Sequence, residues 1–235
     1  MTAREFKERL SRRTKKAGLV VGFPLVDRLC VYFQLLSKWN SKINLTGLDL
    51  DDPTPEGIDR LLIEPLLAAS HVEGATSLID IGSGGGSPAL PLALALPGVR
   101  LAMVEVKTRK SVFLREAARE LGLDNATVVT ARHEALLSEP SFHDAFDLLS
   151  IRAVRVEARV FAALQAFVRP GGHLLHFRTV TETAPLLPPP LQLVGAHPLG
   201  EASRGQLLVI MKAARDVPRA TIYLTKESGV GTIEK

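Results

Sequence analysis

The sequence predicts an α/β fold: a doubly wound parallel sheet with helices on both faces, preceded by a helical cap. Short apolar runs alternate with helical stretches after Gly74, a glycine-rich turn follows the first run, and only helical periodicity comes before it. From Pro24 to Trp39, Leu25, Val26, Leu29, Phe33 and Leu36 recur at helical spacing, with Pro24 suited to the first turn. Thr54, Pro55 and Glu56 supply an N-cap, an N1 proline and an early acid for a second helix through Ile58, Leu61, Leu62 and Leu66, which Pro65 should kink or end. Strands are expected near 77–81, 99–105, 126–130, 147–151, 172–178 and 206–212. Helices are expected near 88–96, 108–121 and 155–168, with a short turn at 133–137. Pro185 to Pro190, four prolines in six residues, reads as a connecting loop. This divides the chain into a basic arm and helical cap (1–72), a sheet domain (73–213) and a C-terminal tail (214–235).

The 235 residues, 46% hydrophobic and 23% charged, suit one large domain with a small appendage. The apolar stretches fall short of the roughly 20 residues that cross a bilayer, and no apolar segment follows the basic N-terminus, so a soluble cytoplasmic chain is expected. Cys30 is the single cysteine, which excludes an internal disulfide and a thiolate zinc cluster. His173 and His176, three apart on one strand, face opposite sides of it, and no metal site is expected. Of the net charge of +4, residues 1–16 hold seven basic side chains (Arg4, Lys7, Arg9, Arg12, Arg13, Lys15, Lys16) against Glu5 and Glu8. The remainder carries 22 basic and 23 acidic groups, so the N-terminal segment is either a phosphate-gripping arm or a solvated helix face.

In LIDIGSGGGSPALP a strand ends at Asp80, turns through Gly82, Gly84, Gly85 and Gly86, and opens a helix whose free amides can face a ligand. The pattern D-x-G-x-G-x-G resembles the nucleotide-proximal loop of class I S-adenosylmethionine-dependent methyltransferases, which implies their Rossmann-like fold. Gly84, Gly86 and Ala89 also fit the dinucleotide spacing G-x-G-x-x-A. An acid ahead of the first glycine sits badly beside a pyrophosphate and well beside a cationic methyl donor. Glu105 ends the second strand, where doubly wound nucleotide folds place an acid for the ribose hydroxyls.

WNSKINLTG (Trp39 to Gly47), DIGSGGGSPALPLA (Asp80 to Ala93), RKSVFLREAARELGL (Arg109 to Leu123), ARHE (Ala131 to Glu134) and IRA (Ile151 to Ala153) together resemble the bacterial 16S ribosomal RNA guanine-N7 methyltransferases, the glucose-inhibited division protein B family. The resemblance implies S-adenosylmethionine as cofactor and, as partner, 16S ribosomal RNA or the small ribosomal subunit. It implies methylation of a guanine in the 530-loop. It places Gly82 and Ser87 in the cofactor loop, His133 and Glu134 beside the adenine, and Arg152 after the fourth strand. The chain departs from the family pattern at Leu61, Glu64, Ala89, Arg178-Thr179 and the tail segment Tyr223 to Ser228.

Guanine N7 carries an exposed lone pair, so methyl transfer to it needs positioning and exclusion of water rather than a general base. On this reading Arg152 and Arg178 hold phosphate or the guanine O6 edge, and Asn44 orders the cap against the cofactor rim. Asn44 capping a turn and Arg152 pairing with a structural carboxylate are the plainer alternatives. Arg12, Arg13, Lys15 and Lys16 are candidate RNA contacts, as are Lys107, Arg109 and Lys110, whose charge opposes a helix dipole. Methylation of another RNA or a small molecule, a non-catalytic RNA-binding assembly factor, and a nicotinamide-dependent oxidoreductase are the competing functions. A monomer is expected.

Overall fold

The structure, a computed structural model, describes residues 1–72, 74–152, 156–181, 185–200, 202 and 204–214. The cap opens with α1 (Ala3–Lys16), whose start is fixed by a capping box between Thr2 and Glu5. It packs on α2 (Phe23–Asn40) through stacked Phe6 and Phe33 rings, 4.1 Å between centroids, and through buried Leu10. Lys7 pairs with Asp27 and Arg9 with Asp52, both at 2.7 Å, and Arg13 makes a buried pair with Asp59. The basic arm is thus a docked helix.

The next helical segment starts at the Thr54 cap with α3 (Pro55–Ile58), runs through a π-helical turn (Asp59–Ile63) and finishes as α4 (Glu64–Ala69). Pro65 does not end it. A helical proline lacks the N–H that would bond the carbonyl four residues back, and its ring crowds that carbonyl. The chain widens by one residue instead, the Glu64 N–H bonding the Asp59 carbonyl five residues back. The carbonyls of Arg60 and Leu61 are accordingly released from the helix and accept from side chains elsewhere in the fold, Arg152 and Ser87.

The sheet comprises β1 (Ser77–Ile81), β2 (Arg100–Val104), β3 (Ala126–Val129), β4 (Phe146–Arg152), β5 (Val168–Thr179), β6 (Leu191–Pro198) and β7 (Gly205–Lys212), in the order β3-β2-β1-β4-β5-β7-β6. The first five strands are parallel; β7 runs antiparallel between β5 and β6, so the sheet is mixed rather than wholly parallel. Strand β6 falls outside the sequence expectation because it is an edge strand with half its residues exposed, closed by Pro198. Alternate strand residues feed two cores. Leu78, Leu101, Met103 and Leu148 meet the cap, α5 (Ala89–Ala95) and α6 (Thr108–Glu120), while Ile79, Val104, Leu149 and Ile151 meet the face of α8 (Ala158–Leu164). The order reverses between β1 and β4, leaving a crevice at their carboxyl ends. Among the described residues no helix is long and apolar enough to cross a membrane. The tail segment 223–228 lies outside the described residues.

Candidate active site at the carboxyl end of β1 and β4

A cavity of about 480 Å³ occupies that crevice, a size typical of small-molecule sites. Its walls come from the glycine loop and Asp80, from Arg152 at the end of β4, from Leu36 and Leu45–Leu48 of the cap, from Arg60 and Leu61 of the π-turn, and from Lys110 in the first turn of α6.

The glycine loop bends where the sequence places it. Gly82, Gly84 and Gly86 have φ of +75°, +52° and +87°, the left-handed region that L side chains avoid. A Cβ on Gly82 would meet no protein atom within 4 Å, so the space above that backbone is open to a ligand. A Cβ on Gly85 would sit 3.2 Å from the Leu45 carbonyl, which shows how closely the cap lies on the loop. Tyr32, fully buried in α2, donates to the Gly85 carbonyl at 2.7 Å, and Ser87 Oγ donates to the Leu61 carbonyl at 2.8 Å.

Asp80 is buried on β1 in register with Ser150 of β4, whose hydroxyl donates to Asp80 Oδ1. Oδ2 is buried without a hydrogen-bond partner. Burial outweighs the Ser150 bond and pushes the Asp80 carboxyl up to about 6. Arg152 is the complementary group. Its Nη2 lies 3.1 Å from buried Glu64 Oε2, its Nη1 donates to the Arg60 carbonyl, and its guanidinium carbon stands 5.0 Å from the centre of the Phe177 ring. Its Nε and Nη2 are buried without a hydrogen-bond partner. Burial lowers the Arg152 pKa, Glu64 opposes that shift, and the neighbouring Arg60 charge adds to it. The cavity wall thus holds an unpartnered acceptor and an unpartnered donor, as an α-amino acid group with its ammonium and carboxylate requires.

The other expected site residues lie outside the cavity lining. Glu105 does not line the cavity: its two oxygens accept from the backbone of Gly84 at 2.9 Å and Lys107 at 2.8 Å, bracing the loop against the start of α6. Asn44 is exposed, and the amide that orders the cap rim is Asn40, whose Oδ1 accepts from the backbone of Leu45 and Thr46. Arg178 is buried, donates to the Thr179 carbonyl and does not line the cavity. Arg13 is held by Asp59. His133 and Glu134 form a 3.3 Å pair at the start of α7 (His133–Leu136), also outside the cavity lining. Arg12, Lys15, Lys16, Lys107 and Arg109 are exposed. Arg60, Tyr32 and Asn40 had no site role from sequence; only the turn around Pro65 and the length of α2 hinted at their placement.

Residues 26–186 match the family of rRNA small subunit methyltransferase G (GidB). The chain is 39% identical over 171 residues to the ribosomal RNA small subunit methyltransferase G of Neisseria meningitidis serogroup C, covering 73% of this chain and 75% of that one. It is 34% identical over 228 residues to the same-named protein of Cupriavidus pinatubonensis, covering 90% and 88%. Among solved structures it resembles an MtNAS variant in complex with S-adenosylmethionine, with a TM-score of 0.51, 15% identity and coverage of 80% and 75%. The sheet order and that likeness are those of a class I methyltransferase fold.

Proposed function

The chain belongs to the rRNA small subunit methyltransferase G family, and from that membership we propose that it transfers a methyl group from S-adenosylmethionine to N7 of a guanine in the 530-loop of 16S ribosomal RNA. The observation that carries the cofactor assignment is the pair of unpartnered buried atoms, Asp80 Oδ2 and Arg152 Nε, in a cavity floored by glycines. S-adenosylmethionine, when bound, supplies a methyl group on a cationic sulfur.

The chain's own residues supply the rest. Ionised Asp80 would hold the cationic part of the cofactor, and the Arg152 N–H would donate to its carboxylate, which would give both orphaned atoms a partner. The bare backbone of the glycine loop admits the nucleoside end, and Glu105 holds that loop rigid through Gly84. The cap covers the loop through Leu36, Leu45 and Tyr32 and keeps water from the reacting atoms. The lone pair of guanine N7 lies in the plane of the base and is already free, so in-line orientation is the principal requirement and no side chain has to remove a proton.

The exposed cations Arg12, Lys15 and Lys16 on α1, and Lys107 and Arg109 at the start of α6, support RNA phosphates outside the cavity. The proposed reaction takes place in the cytoplasm, on 16S RNA or the assembled small subunit, with the protein acting as a monomer. Incubation with S-adenosylmethionine and 16S RNA or small subunits, followed by nuclease digestion and mass spectrometry, tests the reaction. The expected product is 7-methylguanosine in the 530-loop. The same nucleoside elsewhere would remove the target, and methylation of another atom, or none, would remove the mechanism.

A further inference from the structure

We propose that Arg60, rather than Arg152, is the arginine that grips the RNA, its guanidinium binding a backbone phosphate of the target nucleotide or its neighbour at the mouth of the cavity. The inference rests on the RNA-methylating reading above and adds the residue that engages the substrate.

Both arginines border the same cavity, and their surroundings assign them different work. Arg152 is enclosed between Glu64, the Arg60 carbonyl and the Phe177 ring, its side chain only 15% exposed, and its Nε and Nη2 are buried without a hydrogen-bond partner. A guanidinium so enclosed cannot reach a polyanion in solvent. Arg60 is exposed, and among the described residues it has no carboxylate partner. The acids flanking it are already engaged: Asp59 by Arg13, Glu64 by Arg152. The local excess is one positive charge at the rim, next to a second guanidinium that repels it, which is the arrangement an incoming anion relieves.

The backbone that carries Arg60 is fixed on three sides. Asp59 is locked to Arg13 of α1, the Arg60 carbonyl to Arg152 of β4, and the Leu61 carbonyl to Ser87 of the glycine loop. These contacts exist because the π-turn and Pro65 free two successive carbonyls, and such turns recur at functional sites. Three tethers from three parts of the fold hold the base of one exposed side chain against the cofactor cavity. By this account Arg13 is a positioning residue acting through Asp59.

The chemistry of the acceptor selects phosphate over the base edge. Arginine commonly reads guanine by a bidentate contact to O6 and N7. Such a contact would occupy the lone pair that must attack the methyl group, so a productive arginine at this rim engages the backbone instead. A phosphate contact gives charge-assisted, bidentate hydrogen bonds and a measurable dependence on salt.

The test compares the parent with Arg60→Gln and Arg60→Lys. It measures calorimetric affinity for S-adenosylmethionine, salt-dependent binding of a 530-loop RNA, and methylation kinetics. Arg60→Gln should bind S-adenosylmethionine as the parent does, lose about one unit from the salt slope and lose about ten- to a hundredfold in kcat/KM for RNA. Arg60→Lys should restore the slope and only part of kcat/KM, since a point charge lacks the fork. An unchanged slope in Arg60→Gln overturns the proposal, as does loss of S-adenosylmethionine affinity equal to the loss for RNA. A parent that binds the RNA but never methylates it, with the slope still reduced in Arg60→Gln, would remove the proposed reaction and keep the phosphate contact.

Discussion

Asp80 and Glu105 read alike in the sequence, each an acid at a strand end beside the glycine loop, and the fold gives them opposite tasks. Both oxygens of Glu105 are taken by backbone amides of the loop and of α6, whereas Asp80 keeps one oxygen buried and unpartnered in the cavity. No spacing rule distinguishes them, because the difference lies in which backbone N–H groups the turn delivers to each carboxylate. Gly82, Gly84, Asp80, Ser87 and Arg152 were legible as cavity residues because their places follow from local turn geometry and topology, whereas Lys110, expected as an RNA contact, also lines the cavity. Arg60, Tyr32 and Asn40 were not, since each acts through partners far away in the chain. The raised Asp80 pKa leads to a pH prediction. Its folded value of about 6 lies above its unfolded value of 3.8, so this group stabilises the fold fully below 3.8, and that contribution is lost as pH rises through 6. A ligand that pairs with the ionised form should have the opposite trend. Calorimetry should show affinity for S-adenosylmethionine falling about tenfold from pH 7 to pH 5, and the Tm of the ligand-free protein should rise over the same interval. Asp80→Asn should abolish both slopes, and a flat affinity profile in the parent would refute the pairing.

At the scale of elements, the parallel strands and the helices between them appear where hydrophobic runs and helical periodicity alternate, with ends displaced by a few residues. Strand β6 shows what the pattern does not record: an edge strand buries too few side chains to write a period into its sequence. The helix around Pro65 shows a second kind of omission. A proline in a helical pattern signals a break, yet Arg152 and Ser87 are placed to donate to the released carbonyls, so continuation through a π-turn is the lower-energy course. Pro65→Ala would restore an N–H able to bond the Leu61 carbonyl and let the turn relax toward regular α-helix. The expected result is a Tm equal to or above that of the parent, since the substitution improves helix propensity, together with reduced methylation as Arg60 and the glycine loop lose their common support. Equal turnover in the two proteins would show that the π-turn has no part in the site.

Across the whole molecule, the charge asymmetry read as either a phosphate-gripping arm or a solvated helix face, and the helix that carries it is anchored in the core by its apolar side. Phe6 and Leu10 of α1 are buried against α2, so removing residues 1–16 would expose apolar surface and confound any binding measurement. The cations of α1 also divide by partner. Arg13 is held by a buried carboxylate, whereas the surface pairs of Arg4, Lys7 and Arg9 are weak enough for a polyanion to compete with them. Arg12 and Lys15 are exposed with no ion pair among the described residues, and they are the direct test of a long-range RNA footprint. If α1 lies along the RNA while Arg60 holds the target end, the double substitution Arg12→Gln, Lys15→Gln should reduce the salt slope of binding by about two. It should raise KM for RNA at fixed salt and leave kcat and S-adenosylmethionine affinity as in the parent, since neither residue borders the cavity. A slope identical to the parent's would assign α1 to stability alone and confine the RNA interface to the rim around Arg60, Lys107, Arg109 and Lys110.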